Sequence, residues 1–112
     1  MRKFHHVGLP TKEKQPNEIY VEATKVWVTE PLDHEQRVEF LRYEDDSPVT
    51  GPLRDLPHVA FQTDDFDGEM EGKEVILGPF EALDGLRVVF VLEDGAVFEF
   101  MEYAEGKTRL TD

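Results

Sequence analysis

The chain predicts an α+β fold of two paired modules, each running strand, helix, strand, strand, strand, and three observations predict it. A strand-like opening with histidine, His6-Val7-Gly8-Leu9, returns in the second half as His58-Val59-Ala60-Phe61. Both halves also close alike, with Val38-Glu39-Phe40 in the first and Phe98-Glu99-Phe100 in the second. Between these ends, apolar and polar residues alternate with the period of two that marks half-buried strands. A repeat this short cannot bury its own apolar face, so two copies must pair. The reading is one domain over residues 1–112, with a first module at 1–44, a linker at 45–56 and a second module at 57–112.

Residues 4–9 form the first strand, stopped by Pro10, and residues 11–17 are too polar and proline-punctuated for more than one helical turn. The helix of the first module is therefore short or missing. Strands follow at Tyr20-Val21-Glu22 and at 25–29, where Val26 and Val28 face one way and Lys25, Trp27 and Thr29 the other. Residues 31–35 break the pattern and 37–44 resume it. Pro48, Gly51, Pro52 and Pro57 mark the crossing between halves. The second module reads as a strand at 58–63, a helix over 65–72 capped by Asp64 or Asp65, and strands at 74–77, 86–92 and 96–103. Gly78-Pro79 reads as a turn, and Asp94-Gly95 as a tight hairpin.

A chain of 112 residues is long enough to bury a core unaided. The absence of cysteine excludes disulfides, thiolate metal sites and cysteine nucleophiles. A formal net charge of -13, with no clustered Lys or Arg, argues against nucleic acid as a partner. Acidic runs such as Glu44-Asp45-Asp46 read as solvated loops. No run is apolar enough for a signal peptide or a membrane span, so the expectation is a cytoplasmic protein with no membrane partner.

Strand alternation separates the first two histidines. His6 shares a face with Phe4 and Gly8, whereas His5 goes with Val7 and Leu9 onto a packing face. His58 lies with Ala60 and Gln62, and the small Gly8 and Ala60 leave room beside each imidazole. Glu39 and Glu99 stand opposite Val38, Phe40, Phe98 and Phe100, which are expected in the core. A carboxylate among such neighbours is costly unless paired, hydrogen-bonded or bound to a cation. His6, Glu39, His58 and Glu99 together therefore predict one divalent metal ion. Two imidazole nitrogens and two carboxylate oxygens suit Zn, Fe, Mn, Ni or Co, with positions open to water or substrate. Trp27, Arg37, Gln62 and Met101 are candidate substrate-binding residues around it, and Tyr103 shares the face of Glu99. His34, beside Asp33, is expected in an exposed loop.

The His6-Val7-Gly8-Leu9 opening, the His58-Val59-Ala60-Phe61 reopening and the Phe98-Glu99-Phe100-Met101-Glu102 ending resemble the vicinal oxygen chelate superfamily. That group includes glyoxalase I, methylmalonyl-CoA epimerase, extradiol dioxygenases and bleomycin-resistance proteins. The resemblance implies two βαβββ modules in a curved, barrel-like mixed sheet around a cleft, with the ligands carried by the first and last strands of each module. Residue by residue, the family's ligand positions fall on His6, Glu39, His58 and Glu99. The short segment 11–17 departs from the family's first helix.

Such a site would act on a small-molecule substrate with two neighbouring oxygens, acidifying the adjacent C–H as a metal-stabilised enolate. Glu99 is the candidate base and Glu39 its counterpart on the opposite side, giving isomerase, epimerase or lyase chemistry. Three alternatives stay open. An extradiol-type dioxygenase would need only His6, His58 and Glu99; a metal-free antibiotic-type binding module would need no ion; a structural metal would serve stability alone. A homodimer is expected from open sheet edges, from the Val26/Val28 face and from the habit of the superfamily.

Overall fold

Alternating apolar residues give eight strands and almost no helix. The computed structural model describes residues 1–111. The strands are β1 (Arg2–Pro10), β2 (Ile19–Val21), β3 (Val26–Val28), β4 (Val38–Tyr43), β5 (His58–Thr63), β6 (Glu74–Leu83), β7 (Leu86–Glu93) and β8 (Ala96–Tyr103). One short helix, α1 (Pro52–Asp55), interrupts the connection between β4 and β5. All strands join one curled, half-barrel sheet in the order β2-β3-β4-β1-β5-β8-β7-β6.

The two opening strands, β1 and β5, meet antiparallel at the centre of this sheet. Each takes the closing strand of its own half as a parallel neighbour, β4 beside β1 and β8 beside β5. The remaining pairs are antiparallel. Asp94 and Gly95, both with positive φ, turn β7 into β8, as a tight hairpin requires. Among the described residues no helix is long and apolar enough to cross a membrane.

The sheet has an apolar cluster on each face. On the concave face, Val26, Val28, Leu41, Val88, Phe90 and Met101 pack together, closed over by Val49, Leu53 of α1 and Leu110 near the C-terminus. On the other face Phe100, Val89 and Val91 are covered by Phe66 and Met70 from the β5–β6 connection. Arg87 spreads its guanidinium 4.2 Å from the Phe66 ring centroid and pairs with Glu102 at 3.0 Å, so the rim of this cluster is held by charge.

Several expectations are corrected here. The helix expected over 65–72 is only a 3-10 turn at Gly68–Met70, because Phe66 dives into the core and anchors the segment as an irregular cover. Gly78-Pro79 is not a turn but part of β6, which continues to Leu83 through register shifts. Proline is tolerated there because β6 is an edge strand and lacks one neighbour. The linker holds α1, started by Pro52 at a position where its missing N–H costs nothing. Val26 and Val28, expected on a dimer surface, are each 4% exposed and face the concave interior.

Replacing Phe66 by Ala should remove the cover of the second cluster and cost about 3–5 kcal/mol. Urea unfolding monitored through Trp27 checks this; a loss under about 1 kcal/mol would mean that Met70 and Arg87 cover the cluster without it.

Candidate metal centre

Pairing of the four central strands brings the four candidate ligands together. Across the sheet, His6 of β1 stands beside Ala60 of β5, which stands beside Glu99 of β8. One row away, His58 of β5 stands beside Gly8 of β1, which stands beside Glu39 of β4. Each row thus reads histidine, small residue, glutamate, and the two run in opposite directions. The small residue in the middle is what lets an imidazole lean across its neighbouring strand. At Gly8 this is absolute, since a Cβ there would overlap the His58 ring.

All four side chains are buried, and one donor atom from each lies within 4.8 Å of all the others. His6 Nε2 is 3.3 Å from Glu99 Oε1 and 3.5 Å from Glu39 Oε1, without hydrogen-bond geometry to either. His58 Nε2 is 3.1 Å from the same Glu99 oxygen. Donors that are each about 2.1 Å from a common ion lie roughly 3.0–3.5 Å apart at octahedral or tetrahedral angles. The orphaned His6 Nε2, the donor types and the spacing therefore fit a divalent cation, and this cluster could hold one.

Charge is concentrated here. Burial resists protonation of His6, yet Glu39 and Glu99 overcome it and carry His6 up to about 10. Burial likewise resists ionisation of Glu99, but His58 and His6 hold it down at about 2. Both groups are thus charged at neutral pH when no ion is present. Tyr43, on the Glu39 face of β4, is pushed upward by burial and by Glu39 and Glu99, so its hydroxyl stays a donor.

His5 is the main departure from the sequence reading. Pairing slips between Phe4 and His6, and this bulge turns both histidines inward, leaving Phe4 exposed. His5 Nδ1 lies 2.8 Å from His6 Nδ1, and its ring lies against Tyr103. Burial, with His6 and Arg37 nearby, lowers His5 to about 4, so it remains neutral and can accept from His6 Nδ1–H. That bond keeps a proton on His6 Nδ1, so the proton that a cation would displace is the one on Nε2, which faces the two carboxylates. Strict alternation gave no sign of it, because a bulge breaks the period.

A cavity of about 50 Å³ opens beside the cluster on the concave face, and Glu39 and Glu99 belong to its wall. Met101 lines it, as do Tyr43 and Leu53, which the sequence did not single out as site residues. Trp27 does not. It sits on the other side of β3, donating Nε1–H to Glu44 and stacking with Tyr20, because Val26 and Val28 take the inward positions. Arg37 is drawn to main chain instead, donating from Nε to the His5 carbonyl. Gln62 shares the His58 strand but lies beyond the cavity wall, between Lys3 and Met101 in the pairing. His34, half-buried, packs its ring on Phe40 and accepts from the Gln36 N–H.

A solved structure of a hypothetical protein from Bacillus halodurans C-125 is similar to this chain, with a TM-score of 0.71 at 17% sequence identity. The match covers 96% of this chain and 98% of that one, and at this identity the likeness shows the fold. No protein-family model and no curated protein matches the chain.

Two outcomes follow from the geometry. Gly8→Ala should push the His58 ring out of the cluster and weaken binding of Zn or Co by about 10–100-fold or more. Isothermal titration reads this directly, and unchanged affinity would remove His58 from the ligand set. Because a metal must displace the His6 proton held up to about pH 10, apparent affinity should rise with pH, by up to about tenfold per unit below that value. Titrations in buffers of different ionisation enthalpy should show the matching proton release.

Proposed function

We propose that this chain is a divalent-metal-dependent isomerase, epimerase or lyase of the vicinal oxygen chelate superfamily, acting on a small molecule with two neighbouring oxygens. One observation carries the reading. Four buried donors, His6, Glu39, His58 and Glu99, converge from the opening and closing strands of both halves, and two of them also face a cavity. The curled mixed sheet supports it, since that is the architecture the resemblance implies.

A bound Zn, Fe, Mn, Ni or Co ion would supply chelation of both substrate oxygens and draw charge from the carbon beside them. The protein side of the chemistry is a division of labour between two carboxylates. Glu99 is approached by both imidazoles through the same oxygen, at 3.3 and 3.1 Å. Glu39 meets only His6, at 3.5 Å. Glu39 also borders the cavity and is the less engaged of the two, so in this reading it is the group that takes a proton from substrate carbon and returns it. This reverses the roles expected from sequence, where Glu99 was the base. Tyr43 can donate its hydroxyl proton to a substrate oxygen, and the apolar wall keeps bulk water from competing for the transferred proton.

A second reading, a metal-free binding module, draws on the same ion pairs, because protonated His6 between Glu39 and Glu99 partly compensates their charge without any ion. An extradiol-type dioxygenase is less well served, since Glu39 occupies the region that chemistry leaves open. We place the protein as a homodimer formed through its edge strands, which sedimentation velocity checks.

Elemental analysis of protein purified without a His-tag separates the two main readings. The enzyme reading expects close to one ion per chain, lost in His6→Ala and His58→Ala; a metal-free wild type favours the binding module. Glu39→Gln should retain the ion and slow deuterium exchange into α-hydroxy ketones by about 10²–10⁴-fold. Exchange that survives Glu39→Gln and is lost in Glu99→Gln would restore the sequence assignment of the base.

A further inference from the structure

We infer that the substrate of this site carries no charged group beyond its pair of chelating oxygens, the rest of it being a short aliphatic or single-ring body held in the cavity. The inference rests on the metal-dependent reading above and names the substrate class that reading leaves open.

The lining of the cavity carries the argument. Among the described residues that form its wall, Glu39 and Glu99 are the only acids, and no Lys, Arg or His faces it. Thr24 and Tyr43 contribute hydroxyls, and the rest is aliphatic or aromatic, including Val26, Leu41, Val88 and Phe90. A second anion in this space, such as a free carboxylate or a phosphate, would lose its hydration with no Lys, Arg or His in the wall to answer it, since the charge of a bound divalent ion is already balanced by the two carboxylates. A cationic body fares no better, because it would lie among hydrocarbon while the carboxylates are engaged by the ion that the reading requires.

A guanidinium beside the cavity wall cannot swing in without losing partners. Arg54, next to Leu53 on α1, donates to the main-chain carbonyls of Val49 and Glu44 and stacks over the Tyr43 ring from behind. Leu110, 3% exposed, closes part of the cavity wall and is fixed by its N–H to Glu30 at 2.7 Å. Substrates whose charged handle must lie inside this cavity therefore do not suit this chain.

The test uses the full chain loaded with Co(II) and a series of hydroxamic acids, which chelate through two neighbouring oxygens and shift the cobalt absorption bands. Affinity should rise from acetohydroxamate to butanohydroxamate by about fourfold per added methylene until the cavity is filled. Succinic monohydroxamate, which places a carboxylate at the end of a similar chain, should bind roughly tenfold or more weakly than butanohydroxamate. In Leu83→Lys, at the end of edge strand β6 where a half-buried side chain meets the cavity, that gap should close by about tenfold. Equal binding along the wild-type series, or tighter binding of the succinyl compound, overturns the inference while the cobalt bands show that the metal reading stands. Failure of the chain to take up Co(II), or uptake unchanged in His6→Ala, sinks the metal reading and this inference with it.

Discussion

Two carboxylates and two imidazoles removed from water together set the terms for the rest of this fold. An isolated buried carboxylate costs several kcal/mol, so Glu39 and Glu99 can stay inside only if positive charge is delivered to them at fixed distance. The delivery is made by backbone pairing. β4, β1, β5 and β8 lie side by side in register, and a slip of one residue in any of these pairings would send a ligand to the other face. The apolar clusters on both faces therefore do more than stabilise, because they hold the register on which the charge balance depends.

The histidines show how fine that control is. His6 sees both carboxylates with Nε2 and is held from behind by His5 through Nδ1, while His58 needs the bare backbone of Gly8 to reach its place. A bulge, a glycine and a second histidine thus act on three atoms. Without the bulge His5 would leave the interior, and His6 would lose the acceptor that keeps a proton on its Nδ1.

Much of this was legible in the sequence, and the reasons differ by residue. The four ligand-type residues showed because the repeat places histidine on each opening strand and glutamate on each closing strand, and period two then assigns their face. The strand at 96–103 was readable to the residue, since alternation and the Asp94-Gly95 turn agree. His5 was not, because a bulge leaves no trace in alternation. Nor was the fate of segment 65–72, where helix-like residues are overruled by the pull of Phe66 into the core. Trp27 was misplaced because the ligand-bearing face was expected to be the more polar one. It is the more apolar one, so the valines of β3 turn inward and the tryptophan does not.

The two rows across the sheet have a consequence for the time at which the site comes into being. Each row takes its histidine from one half of the chain and its glutamate from the other. A ribosome-bound chain that has released only its first half offers His6 and Glu39, which lie in different rows and lack the central partner strand that brings the rows together. Glu99 sits in β8, the last of the described strands in chain order. The cluster is therefore incomplete until β8 has been made and has joined the sheet beside β5.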